Sequence, residues 1–288
     1  MISTDEFKAP LNSIEQSIIE ISSLISLPEI YLKIRRLMDD PHSSMEAFCE
    51  VISYDPNLSS TVLKVVNSAF FGFPGQIDSI SRGVVMLGIG PLHDMVLSTC
   101  AMSALAMPNE ILPLRTFWRC SLFAGVLTRI LANQLKIRTS DRLFVVGLLH
   151  EIGHLVIYSK FPEQAKQAIE TSISSKQSLH LAEQNLLGLH YGQVGSKLMA
   201  QWQLPSHFQA MTYFQPTPAL AREHQAETML LHLAHGYAQK HFGQTGQTLD
   251  ELIIAEAWAM LDLLPEQIEG SLDAALQLCL EIEQAILN

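Results

Sequence analysis

The chain has 288 residues, enough to bury a large core, with 48% hydrophobic and only 16% charged residues. Its formal net charge is −11 and its longest basic cluster is Lys33-Ile34-Arg35-Arg36, which argues against binding a nucleic-acid backbone. The four cysteines, Cys49, Cys100, Cys120 and Cys279, are scattered with no C-x-x-C pair, and no secretory signal pattern opens the chain; free thiols and a cytoplasmic location are the expectation.

Taken in chain order, nearly every segment has helical periodicity and no alternating strand pattern is found. Ile14, Ile18, Ile21 and Ile25 describe an amphipathic first helix. Ser43 and Glu46 have capping-box spacing. Asp55-Pro56 opens a helix through Val66, and Ser79 and Gly90-Pro91 supply two further starts. Asn67-Ser68 fits a turn better than a nucleophile, because no His or acid stands beside Ser68. Phe70-Phe71-Gly72-Phe73-Pro74 is an aromatic corner, either a plug between two halves or an exposed anchor. The apolar region 84–107 is broken by Gly88, Gly90, Pro91, His93 and Asp94, so no membrane span is expected there. Its methionines Met86, Met95, Met102 and Met107 read as core. Longer helices are expected at about 113–135, 141–158, 162–176, 179–187, 191–203, 219–242 and 265–287. The prolines at 216 and 218 break the chain before the last two. The architecture is all-α, two packed helical subdomains divided near Pro108–Pro113, at residues 1–110 and 111–288.

Within the helix at 141–158 lies LLHEIGHL, which contains HEIGH. The pentapeptide fits H-E-x-x-H, with His150 and His154 on one helical face as zinc ligands and Glu151 as base. A zinc peptidase needs a third ligand. The H-x-x-G-x-x-H extension is absent, Ile157 and Lys160 holding its positions, and only Glu170 and Glu183 are formally available. Without a strand to line a substrate, this match lacks its context.

A second resemblance covers more of the chain. Leu27-Pro28, Asp55-Pro56, Val66-Asn67-Ser68, Phe71-Gly72, Leu87-Gly88, Phe117-Trp118-Arg119, Gly147-Leu148-Leu149-His150, Ile152-Gly153, Gly188-Leu189-His190 and Trp202-Gln203-Leu204-Pro205 together resemble the HDOD family, relatives of the HD-domain metal-dependent phosphohydrolases. That resemblance implies an HD-like second half and a metal site of two His and two Asp. Here His150-Glu151 matches the His-Asp doublet, Cys120 falls where the first His is expected, His235 near the last Asp, and His154 where a Lys follows. Only His150 is unchanged. The implied site, Cys120, His150, Glu151 and His235, is vestigial, and zinc would suit its softer donors best. No catalytic residue and no cofactor is expected.

Two functions stay open. The resemblance implies a non-catalytic output or scaffold module of bacterial signalling, with a signalling protein or a small ligand as partner. The alternative is a residual metal-dependent phosphohydrolase acting on a nucleotide or cyclic dinucleotide. His180, His190 and His232 read as surface or hydrogen-bonded core residues rather than ligands.

Overall fold

A computed structural model describes residues 25–107, 110–137, 140–243 and 247–286, and among these residues every regular element is helical. The first helix expected from Ile14 to Ile25 lies almost wholly outside the described residues. The N-terminal set is α1 (Glu29–Asp39), α2 (Met45–Ser53), α3 (Pro56–Val66), α4 (Ile80–Leu87) and α5 (Ile89–Ala104). Their starts are chemically explicit. Asp55 accepts from the backbone N–H of Asn57 and Leu58 at 2.9 and 3.0 Å, and Ser79 accepts from Arg82 at 3.3 Å. At α2 the cap is Ser44, which accepts from Ala47 at 3.2 Å, so the expected Ser43–Glu46 box is displaced by one residue.

Asn67 ends α3 in right-handed geometry and binds both the N–H and the C=O of Ile77, at 2.7 Å each. Ser68 Oγ donates back to Val65 O at 2.6 Å, a turn role and not a nucleophile's. Met95 is core, but Met86 is 47% exposed, because Val85 and Met86 lie on the outer face of α4 while Ile80, Gly83 and Val84 face inward.

The second set begins with α6 (Leu114–Gln134), which packs along α7 (Ser140–Leu149), α13 (Gln225–Phe242) and α16 (Pro265–Ile286). Between them run α8 (Ile152–Lys160), α9 (Pro162–Ser175), α10 (Leu179–Leu187), α11 (Tyr191–Gln201) and α12 (Ser206–Phe214). The short α14 (Leu249–Leu252) and α15 (Ala255–Leu261) follow α13. Helix α12 is missing from the sequence reading, and α13 starts at Gln225, not near 219, after a short 3-10 turn at Pro218–Leu220.

One hydrophobic cluster runs through both sets. They meet where α5 packs on α7 and α16 packs on α3. The aromatic corner is a plug: Phe70 lies 4.8 Å from Phe144, and the Arg129 guanidinium sits 4.0 Å over the Phe70 ring and donates to Phe70 O at 2.8 Å. Residues 142–160 are long and apolar enough to cross a membrane by composition, but 89% of that stretch is buried inside the fold.

Candidate metal and ligand site

The expected helix 141–158 is in fact two, with His150 and Glu151 at the break. His150 Nδ1 donates to Gly147 O at 2.6 Å. That carbonyl is the one a continuing helix would offer to the N–H of Glu151, so the imidazole ends α7 and redirects the chain. Two close approaches fix the segment. A Cβ on Gly147 would strike the backbone of α6 at Gly125, and one on Gly153 would strike Tyr191 O at the start of α11. Glycine at these positions lets α7 press on α6 and α8 on α11, which sets the doublet between them.

Three of the four sequence-derived ligand residues converge. His150, Glu151 and His235 place one donor atom each within 4.8 Å of one another, and no other such group occurs among the described residues. His150 Nε2 is 2.9 Å from His235 Nδ1. Because Gly147 O can only accept, His150 carries its proton on Nδ1, and the hydrogen in the imidazole pair belongs to His235. Glu151 Oε1 lies 3.6 Å from His235 Nδ1 and Oε2 lies 3.9 Å from His150 Nε2.

The fourth, Cys120, stands alongside but outside that donor group. It is joined to the cluster by Gln239, whose amide N donates to Glu151 Oε1 at 3.1 Å and to Cys120 Sγ at 3.7 Å. Burial pushes the Cys120 thiol well up, with Glu151 adding to the effect, so at neutral pH it is a thiol.

The peptidase geometry is not what forms. His154 turns away from His150 and His235, with Nε2 at 3.1 Å from Glu183 Oε1 and Nδ1 at 3.6 Å from Glu151 Oε1. Glu183 is engaged again through Oε2, which accepts from Tyr191 N at 2.8 Å, and Glu170 is exposed on α9. Two other histidines have structural roles. His190 caps α11 by accepting from Gly192 N at 3.1 Å. His232 donates to Gln215 O at 2.9 Å and accepts from Ile254 N at 3.3 Å.

Charge is distributed unevenly over the cluster. Burial works against a proton on His154, yet Glu183 and then Glu151 overcome it and raise the imidazole to about 9. Burial lowers His150, and it takes His235 down to about 3 despite the neighbouring Glu151. Burial alone would raise the Glu151 carboxyl; His235, His154 and His150 outweigh it and hold it below the ordinary carboxylate range. The consistent state at neutral pH is a Glu151 carboxylate, a His154 imidazolium, and neutral His150 and His235.

In kind, two neutral imidazoles and a carboxylate fit zinc. In spacing, two nitrogens on one tetrahedral zinc sit about 3.3 Å apart, so the 2.9 Å pair would have to part by a few tenths of an ångström and His235 would have to give up its Nδ1 proton.

Of the three converging residues, Glu151 reaches the lining of a cavity of about 160 Å³. Glu151, Cys120, His154 and Gln239 lie at its base, and Phe117, Tyr158, Ile169, Ile173, Leu179 and Phe242 are among its walls. Gln239 and the apolar walls are the part of the site that sequence reasoning missed.

The profile of the HDOD domain matches residues 24–218. The chain belongs to the HDOD family. An HDOD domain protein of Geobacter sulfurreducens superposes with a TM-score of 0.76 at 18% identity, over 95% of this chain and 99% of that one. A Shewanella amazonensis protein described as a candidate phosphohydrolase gives 0.76 at 23% identity, over 96% and 99%. A candidate signal-transduction protein of Marinobacter aquaeolei gives 0.69 at 21%, over 94% and 64%. An uncharacterised protein of Treponema pallidum is 27% identical over 189 residues, 64% of this chain; those residues span only 36% of that relative's length. The solved structures are similar in fold, and candidate signalling and phosphohydrolase proteins are both among them.

Proposed function

We propose that this HDOD chain is a non-catalytic output or scaffold module of bacterial signal transduction, in which a degenerate HD site serves binding of a regulatory protein or a small ligand instead of hydrolysis. The observation that supports it most is the access route. The described residues lining the cavity that Glu151 enters include no Lys or Arg, and most of them are apolar. A phosphate ester would have to shed its water there with no Lys or Arg to replace it, a cost that phosphoryl-transfer sites meet with Lys, Arg or metal clamps. The position where a Lys is expected carries His154, whose charge is already committed to Glu183 and Glu151.

A divalent ion, if bound, would be held by His150 Nε2, Glu151 and His235 Nδ1, and would polarise a bound ester as a Lewis acid. The protein groups around it orient and neutralise one another; none is free to hold a leaving group. A protein partner is supported by apolar side chains left outside: Tyr54 at the end of α2 and Val85 on α4 are each 75% exposed, on helices that pack together. We further assign the chain to the cytoplasm, where its four buried, unpaired cysteines would stay reduced. The division into an N-terminal and an HD-like subdomain near residue 110 is part of the same proposal.

Elemental analysis of protein purified without an affinity tag, beside His150→Ala, together with a chromogenic phosphodiester assay in added zinc and manganese, tests the reading. No turnover is expected, with or without bound metal. Stoichiometric metal that vanishes in His150→Ala and accompanies phosphodiester hydrolysis would overturn it in favour of a residual phosphohydrolase.

A further inference from the structure

The cavity above the cluster has a size, a wall and a floor, and together they narrow what it can hold. Its volume of about 160 Å³ is close to the roughly 150 Å³ of an engineered apolar cavity that takes benzene, so one ring or a branched chain of similar bulk fits. Phe117, Tyr158, Phe242, Ile169, Ile173 and Leu179 present carbon to it.

The floor differs from the walls. Glu151 lines the cavity and has room for further donors: a carboxylate accepts about four hydrogen bonds, and Gln239 donates to its Oε1 at 3.1 Å. The imidazole nitrogens of His154, His235 and His150 stand off at 3.6, 3.6 and 3.9 Å. An acceptor with spare lone pairs in an apolar cavity favours a ligand that brings donors, and the one cation beside it, His154, already faces Glu183 at 3.1 Å.

We propose that the cavity binds a small apolar amine, its ring or branched chain among Phe117, Tyr158, Phe242 and Ile173 and its ammonium group on the Glu151 carboxylate. The inference rests on the non-catalytic reading of the same site and names the ligand class for it. The aromatic walls add to the preference, because Phe117, Tyr158 and Phe242 line the cavity and an ammonium group gains near aromatic rings. Cys120, a thiol beside the carboxylate, adds a weak acceptor and no charge.

Three probes of one shape separate the possibilities on the intact chain: benzylamine, toluene and phenyl phosphate, followed by calorimetry and by the shift in melting temperature. Benzylamine is expected to bind at least about tenfold more tightly than toluene, with phenyl phosphate not binding. Glu151→Gln is expected to bring benzylamine down to the level of toluene. Ile173→Trp, at a wall residue that is 50% exposed and so tolerant of bulk, is expected to block both without lowering the melting temperature. Equal affinity for benzylamine and toluene, or amine binding that Ile173→Trp leaves unchanged, would overturn the proposal even if Glu151→Gln fails to fold. Failure of all three probes overturns the amine inference and leaves the non-catalytic reading standing. Binding of phenyl phosphate with release of phosphate overturns both.

Discussion

Glu151 and Glu283 are buried to the same degree, with 3% of each side chain exposed, yet they live in opposite surroundings. Glu283, on α16, meets two guanidiniums of α6: Arg119 with bonds of 2.6 and 2.7 Å and Arg115 with one of 2.8 Å. Those cations are permanent, and both reach solvent. Glu151 meets three imidazoles and an amide, and only His154 among them is charged at neutral pH, a charge that also faces Glu183. The first carboxylate is fully answered by charge and pins a helix. The second is answered only in part and faces a cavity. The difference separates a clamp from a site, even though both would be counted as buried ion pairs.

The comparison breaks most easily at His154. His154→Leu leaves Glu151 and Glu183 buried with no cation between them, and loss of one partner from a buried pair costs about 3–5 kcal/mol. Denaturant unfolding at neutral pH measures it. A loss under about 1 kcal/mol would mean that His154 carries no charge in the fold and that the inner cluster is as neutral as its surroundings.

Much of this molecule can be read from its sequence, and the unread part has a common physical cause. Asp55, Ser79 and the apolar spacing of α3 to α11 are local signals, and the helices they mark are present. Local reasoning failed where a distant group decides the outcome. The long helix through residue 150 ends because the His150 ring occupies Gly147 O, a competition that spacing cannot show. Helix α12 follows Leu204-Pro205 without a strong cap, its N-terminal residue making no side-chain cap bond, and its identity is set by packing on α11. For the site, proximity of His150 and His235, 85 residues apart, came from family resemblance and not from the local pattern. Gln239 had no such guide, and Glu183 entered only as a formally available third zinc ligand, since a Gln or a Glu on an amphipathic helix gives no local sign that the fold turns it inward.

The clamp can be tested through pH. The Arg119 hydrogen bonds, and after them Arg115, hold the Glu283 carboxyl below its ordinary value against the opposing effect of burial; the thiol of Cys279 nearby is neutral. A depressed carboxylate adds stability above its unfolded-state pKa of about 4.3 and loses it as pH falls through the folded value. Glu283→Gln is therefore expected to cost about 1–3 kcal/mol at pH 7, from charge-assisted bonds made neutral, and the gap to the parent protein is expected to close below pH 4. A gap independent of pH would show that shape, not charge, holds α16 on α6.

The smallest expected effect distinguishes the two arginines of that clamp. Arg119 binds both Glu283 oxygens as a fork, whereas Arg115 makes a single bond and is 58% exposed at its side chain. A forked guanidinium loses less freedom per bond than a singly bonded one, and an exposed pair is worth about 0.2–1 kcal/mol. Arg115→Met is expected to cost about half a kcal/mol and to lose even that in 1 M salt, where exposed charges are screened beyond about 3 Å. Arg119→Met is expected to cost more and to keep most of its cost in salt, because Glu283 would then be buried with one solvent-facing partner. Equal costs for the two substitutions would make the clamp a diffuse attraction between α6 and α16, and the contrast with the inner cluster would reduce to one of location.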